Sequence, residues 1–301
     1  MYAITGATGN IGSQITELLL ARGEKVRVIG RDANRLRTLA GKGAEAAVGD
    51  LKNSAFLTGA FSGVDAVFAM IPPDYSAKDF RAFQNEIGGS IADAVTRSGV
   101  KFVVNLSSQG AELSSGTGPI LGLRDQEERL NRLAGVNVLH LRPTYFMENL
   151  LMNIPLINQM GIAGSAVRGD RKFAMIATRD IASRAAEHLV RRDFQGPVVQ
   201  YLLGQRDLSL DEAIGVLGSW IGWPDLKYVQ FPYDEAAKGM VSMGISPDVS
   251  RLFIEMSAAL NEGLFAVGRQ RTADNTTPTS IEEFTGVFAA AFEAASYKKA
   301  A

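Results

Sequence analysis

The chain has 301 residues, 46% hydrophobic and 21% charged, with a formal net charge of −1 and no cysteine. That balance suits a globular chain with one large domain or two unequal ones, and it lacks the basic excess that nucleic acid or an anionic membrane surface demands of a partner. Without cysteine there is no disulfide, thiol nucleophile or Cys-ligated metal centre, and no apolar run approaches the roughly 18 residues of a membrane span. A strand-like run starting at residue 2 leaves no room for a cleavable leader, so the expected location is the cytoplasm.

The run Tyr2-Ala3-Ile4 reads as a strand and passes directly into Thr5-Gly6-Ala7-Thr8-Gly9-Asn10-Ile11-Gly12. Ile11, Ile15, Leu18 and Leu19 then recur at helical spacing,. A strand, a glycine turn and a helix in that order form a dinucleotide cradle. Gly6 permits the tight turn, Gly9 lets main-chain N–H groups reach a pyrophosphate, and Gly12 lets the helix pack on the strand. The helix N-terminus offers donors without intrahelical partners to the anion. Gly6, Thr8, Gly9, Asn10, Ile11 and Gly12 are therefore candidate cofactor contacts. The plainer alternative, a glycine turn in an ordinary βα unit, lacks a reason for all three glycines.

A second strand over 25–29 ends in Gly30-Arg31, where an NAD-binding chain carries an acid for the ribose 2′-hydroxyl,. A cation there favours NADP(H) over NAD(H). Arg31 can grip a 2′-phosphate with paired donors, and Arg35 is expected on the same face of the next helix. Alternatively Arg31 is solvated and Asp32 meets the ribose. The third strand, 44–48, leads into Gly49-Asp50-Leu51 at the adenine edge. Asp50 can accept from the exocyclic amine, or cap the helix that begins near Asn53, while Leu51 packs on the ring. Strand 64–71 closes with Met70-Ile71-Pro72-Pro73, whose extended backbone is suited to pass the ribose and nicotinamide, unless the prolines only end the strand,.

A long helix marked by Phe80, Phe83, Ile87, Ile91, Ala94 and Val95 stops at Ser98-Gly99,. Strand 101–106 follows, ending in Ser107-Ser108; Ser107 or Ser108 is a candidate hydrogen-bond donor to the nicotinamide amide or to an acceptor oxygen, or else satisfies local backbone. The glycine- and serine-rich stretch 110–122 is a candidate lid over the strand ends. Strand 136–141 leads to Tyr145 and Phe146, candidate walls of the nicotinamide pocket with core packing as their rival. Beyond Pro143 the rhythm changes: helices over 149–160, 178–190 and 209–221, strands over 198–203 and 226–231, and a mostly helical final seventy residues in which Phe284, Val287, Phe288 and Phe292 form an apolar stripe,. Trp220 and Trp223 flank a helix end as packing groups or as pocket walls. His140 and His188 lack ligand spacing, so no metal site is expected. Alternating βα units predict an α/β chain with a Rossmann-type doubly wound parallel sheet. The expected division is a dinucleotide-binding domain over 1–145 and a smaller substrate lobe over 146–301, with elements near 175–205 returning to the first.

The glycine turn, Arg31, Gly49-Asp50-Leu51, Asn105-Leu106-Ser107-Ser108, Leu141-Arg142-Pro143-Thr144-Tyr145-Phe146-Met147-Glu148-Asn149 and Thr178-Arg179-Asp180-Ile181-Ala182 together resemble the NmrA-like family, an atypical branch of the short-chain dehydrogenase/reductase group. The resemblance covers nearly the whole chain and points toward its bacterial NAD(P)H-dependent quinone-reductase-like members. It implies NADP(H) as cofactor and a small acceptor such as a quinone. The wider group uses a tyrosine and a lysine four residues later on the helix after strand five; here Leu123 and Glu127 occupy those positions, so no catalytic residue is assigned. Glu127 faces inward with Leu123 and Leu130, and its expected role is a structural bond to backbone or an arginine rather than acid chemistry. A quinone suits such a site because water can protonate its reduced oxygens. The competing expectation is an NADP(H)-responsive sensor acting through a protein partner. Residue patterns leave open whether the chain is a monomer or a homodimer.

Overall fold

The computed structural model describes residues 1–266 and 270–300. Its first half alternates β1 (Tyr2–Ile4), α1 (Asn10–Ala21), β2 (Val26–Gly30), α2 (Ala33–Ala40), β3 (Glu45–Val48), α3 (Ser54–Phe61), β4 (Ala66–Ala69), α4 (Phe80–Ser98), β5 (Phe102–Leu106), α5 (Ile120–Asn131) and β6 (Asn137–Pro143). There follow β7 (Tyr145–Phe146), a 3₁₀ turn (Met147–Asn153), α6 (Ile154–Met160), β8 (Ile162–Ser165), β9 (Phe173–Ile176), α7 (Thr178–Arg191) and β10 (Pro197–Leu202). The remainder comprises β11 (Asp207–Leu208), α8 (Leu210–Trp220), β12 (Lys227–Gln230), α9 (Tyr233–Ser242), α10 (Pro247–Glu262) and α11 (Ile281–Ala300).

Seven strands form one parallel sheet in the order β3-β2-β1-β4-β5-β6-β10. The chain leaves β1 toward β2 on one side and returns to pair β4 on the other. The switch point therefore lies where β1 ends in the glycine turn, the crevice in which open α/β sheets bind ligands. All four residues of β4 are buried, as a strand covered on both faces requires,. One face carries α1, α2 and α7, the other α3, α4 and α5. Ala182, Ala185 and Ala186 allow α7 close to α1, against Ile15 and Leu19, which are fully buried and contribute about 1.5–3 kcal/mol each,. Gly99, at φ +75°, stops α4 in the left-handed conformation expected there,.

The second half departs from its sequence reading in one stretch. The helix expected over 149–160 starts as a 3₁₀ turn and becomes α-helical at Ile154, because Pro155 suits a first turn and cannot donate within a helix,. The short strands β7, β8, β9 and β11 carry no periodic signal. β9 pairs β7 in parallel and β11 antiparallel, and β8 pairs β12. Around them a separate core gathers Met147, Leu150, Ile157, Leu217, Phe284 and Phe288. Val287 leaves the predicted stripe and is half exposed, and Trp220 is exposed too, while Trp223 meets Phe292 edge to face.

His140, on β6, is fully buried between Asn105 of β5 and Asn131 at the end of α5. With the Asn105 amide donating to Nδ1 (3.1 Å) and Nε2–H donating to the Asn131 carbonyl (2.8 Å), the ring is neutral. Burial, aided by Arg142 and opposed by Glu127, drives its pKa from 6.5 down to about 4,. A depressed histidine contributes stability above pH 6.5 that is lost as pH falls toward 4, here about 3 kcal/mol. Urea unfolding at pH 7 and pH 4.5 should show this loss in the native chain and a smaller one in His140→Gln; equal losses in both would refute the role. A Cβ on Gly12 would stand 2.3 Å from the Gly6 carbonyl oxygen. Gly12→Ala is therefore expected to destabilise by about 1–3 kcal/mol through overpacking, and an unshifted urea midpoint would contradict the close contact.

Candidate active site

The glycine turn is set by a residue that sequence reasoning passed over. Thr5 Oγ1 accepts from Met70 N (2.8 Å) and donates to the Phe68 carbonyl (3.2 Å), stapling the end of β1 to the end of β4. Gly6 then turns at φ +62°, and a Cβ there would lie 2.2 Å from Met70 Sδ. The Gly9 N–H donates back to Gly6 O (3.0 Å), and Gly9 stands at the N-cap of α1 with no side chain to cap it. The first-turn N–H groups of Asn10, Ile11 and Gly12 have no intrahelical acceptor, and no side-chain cap covers them,. This is a fit for a pyrophosphate: uncapped main-chain donors, with the Cβ atoms that would block approach removed. Thr8 offers its carbonyl to the Arg35 guanidinium (3.1 Å).

That bond revises the expected pairing of the two arginines. Arg31 lies in a bend before α2, so it shares no helix face with Arg35. Arg35 instead reaches back across the glycine turn. Asp32 is committed as the N-cap of α2, accepting from Asn34 N (2.8 Å) and Arg35 N (3.3 Å). Arg31 is exposed and makes no hydrogen bond or ion pair among the described residues. Its charge is felt by Asp74, in the loop after β4. Bonds from Ser76, with Arg31 and Lys52 adding at longer range, hold that carboxyl below its ordinary range. Asp50 caps no helix: its carboxylate accepts from Lys52 N (2.9 Å), and Asn53 is the N-cap of α3. Leu51 is buried. Phe56, unmarked by any motif, crosses Gly49, with ring carbons 2.6 Å from where a Cβ would stand.

At the other end of the edge, Met70 covers Gly6, Ile71 is buried and Pro72 is half-buried. Ser107 is buried, and its Oγ has no hydrogen-bond partner among the described residues, whereas Ser108 bonds the Gln109 carbonyl. Tyr145 and Phe146 separate. Tyr145 leans on Phe173 in the second core, where burial pushes its phenol pKa up, and Phe146 packs on the sheet core beside Met70 and Leu106. On α5, Leu123 is half-buried. Glu127 accepts from Arg142 Nε (2.9 Å) and Nη2 (2.5 Å), a buried two-bond pair of the structural kind expected,.

The stretch expected as a lid is held on both sides. The carbonyls of Ala111 and Glu112 accept from Arg124 (3.3 and 2.9 Å). Gly110 and Gly118 lie so close to the Phe265 ring and the Leu252 carbonyl that added Cβ atoms would clash at 2.5 and 2.0 Å. The N-terminus of α10 reaches the loop after β4: Ser246 Oγ donates to Ala77 O (2.6 Å), and Asp248 accepts from Phe80 N (3.0 Å). The motif at 178–182 ties the lobe to the sheet. Thr178 Oγ1 donates to Glu148 (2.6 Å) and accepts from Gln14 of α1 (3.2 Å), and Asp180 accepts from Thr279 N (3.0 Å) and Oγ1 (2.7 Å).

The NmrA-like family model matches residues 2–285. The chain is 30% identical over 302 residues to the NAD(P)H azoreductase of Xenophilus azovorans, covering 98% of this chain and all of that one. Among solved structures, the NADPH complex of the quinone oxidoreductase QOR2 from Escherichia coli superposes with a TM-score of 0.80 at 22% identity, covering 95% of this chain and 99% of that one. The NADP(H) complex of triphenylmethane reductase from Citrobacter sp. gives 0.76 at 20% identity over 96% and 100%. A parallel sheet switching at a glycine turn, and a matching sequence model over nearly the whole length, place this chain in the NmrA-like family.

Proposed function

We propose that this protein is an NADPH-dependent reductase that passes a hydride to a quinone or a similar conjugated carbonyl acceptor. The observation that carries the reading is an uncapped glycine-bordered helix terminus on the same sheet edge as an unpaired Arg31. When bound, NADPH supplies the hydride. The chain supplies grip and placement. In this reading Gly6, Thr8, Gly9, Asn10, Ile11 and Gly12 hold the pyrophosphate, Arg31 takes the 2′-phosphate, and Asp50 and Leu51 border the adenine. Arg35 acts indirectly by fixing the Thr8 carbonyl. Met70, Ile71 and Pro72 pass the ribose, and Phe146 and Tyr145 support the nicotinamide end.

With Leu123 in place of a phenol and Glu127 bound by Arg142, neither position donates a proton. A quinone tolerates this, because one hydride and one proton from water complete its reduction. Ser107 Oγ–H, buried without an internal partner, is the group available to hydrogen-bond an acceptor oxygen or the nicotinamide amide. Placement in a site shielded from water then supplies the rate. The names of two relatives, an NAD(P)H azoreductase and an NADPH-dependent quinone oxidoreductase, support a conjugated acceptor.

Arg31→Ala is expected to weaken NADPH binding about 10- to 100-fold, the loss of one or two charge-assisted bonds, and NADH binding less than about twofold. Calorimetric titration with both coenzymes checks this; equal losses would overturn the choice of NADPH. Monitoring NADPH oxidation across a quinone panel tests the reaction. Tight coenzyme binding with no acceptor turned over would replace the reductase reading with that of an NADP(H) sensor.

A further inference from the structure

Ser107 opens the 107–119 loop at the end of β5, and one buried side chain ties that loop to α5 and β10. Arg142, at the end of β6, is 8% exposed and distributes its guanidinium over three neighbours. Nε and Nη2 engage Glu127 on α5, while Nη1 donates to the Tyr201 hydroxyl on β10 (2.6 Å) and to the Glu112 carboxylate in the loop (3.2 Å). The Tyr201 hydroxyl donates to the same Glu112 oxygen (3.1 Å), which also accepts from Gly110 N (3.1 Å). A pair with Glu127 alone would use only two of the five guanidinium donors. The remaining reach goes to the loop.

Resting on the reductase reading above, we propose that Arg142 is a positioning residue for the acceptor. Spanning Glu127 and Glu112, it fixes the loop over the carboxyl ends of β5, β6 and β10; Ser107 N–H is itself held on the Leu141 carbonyl (2.8 Å), so what Arg142 adds is the placement of the loop that follows Ser107. Because α10 and Phe265 close the other side at Gly118 and Gly110, the loop is a rigid wall of the acceptor site rather than a moving cover. A planar fork is required for this. Lysine carries the charge but cannot hold two carboxylates at fixed angles. With Ser107 serving the acceptor oxygen, and the cradle at α1 sharing none of these bonds, coenzyme binding should not feel them.

The test uses Arg142→Lys, Glu112→Gln and Tyr201→Phe in the full chain; the last two leave the buried Arg142–Glu127 pair whole and guard against a variant that fails to fold. Three readouts are taken: NADPH affinity by titration, hydrogen exchange across 108–118, and steady-state kinetics with a quinone. Arg142→Lys is expected to raise the acceptor KM on the order of tenfold and speed exchange in 108–118 by a similar factor, with NADPH affinity unchanged within about twofold. Glu112→Gln gives smaller shifts of the same kind. Ser107→Ala should cost less in the Arg142→Lys background than in the native chain, since both act through one element. Unchanged exchange in 108–118, a parallel loss of NADPH affinity, or strict additivity with Ser107→Ala would each overturn the role. If the native chain binds NADPH but reduces nothing, the reductase reading falls and the acceptor role with it. Unchanged exchange in an active enzyme removes the positioning role alone.

Discussion

The approach of the first turn of α1 to the carbonyl of Gly6 is the contact on which the site depends. It brings uncapped N–H groups to the carboxyl edge of the sheet at the point where strand order reverses, and it leaves no room for a side chain at Gly12. Thr5 holds that turn against β4, and Met70 occupies the space above Gly6. Any ligand lying along the edge must therefore pass between main-chain donors on one side and the β4 loop on the other. Arg35, bonded to Thr8, adds a brace from α2.

Charge is managed differently at the two ends of this edge. At the β2 end Arg31 is exposed and makes no hydrogen bond or ion pair among the described residues, and its charge is felt by Asp74. At the β6 end Arg142 is buried and committed, because an unpaired guanidinium there would carry a desolvation cost of several kcal/mol. Glu127, Tyr201 and Glu112 offset that cost and in doing so join α5, β10 and the loop to one atom group. The first arrangement suits binding, the second geometry. The edge between them holds Ser107, whose buried hydroxyl, like that of Thr117 in the same loop, has no hydrogen-bond partner among the described residues.

Much of the site was legible because it relies on residue types with one physical reason to be where they are. Gly6 needs positive φ, and Gly12 needs the absence of a Cβ. Glu127 as a buried, paired carboxylate followed from helix spacing alone. Thr5, Phe56, Glu112 and Tyr201 gave no such signal, since a threonine in a turn, a phenylalanine in a helix, a glutamate in a loop and a tyrosine in a strand have many uses. Two local expectations changed: Arg35 shares no helix face with Arg31 and bonds the Thr8 carbonyl, and Asp50 accepts from the Lys52 N–H while Asn53 caps the helix.

By itself the sequence determined the alternation of strands and helices, the glycine turn at the end of β1 and the positive charge after β2, because periodicity, glycine stereochemistry and charge are local properties. Only tertiary structure decided that the 110–122 stretch is a clamped wall, that Tyr145 and Phe146 belong to different cores, and that one arginine links Glu127 to Glu112. Those outcomes join residues 12 to 156 positions apart. Their partners are chosen by how α5, β10 and α10 stack over the sheet edge, and no short-range pattern encodes that stacking.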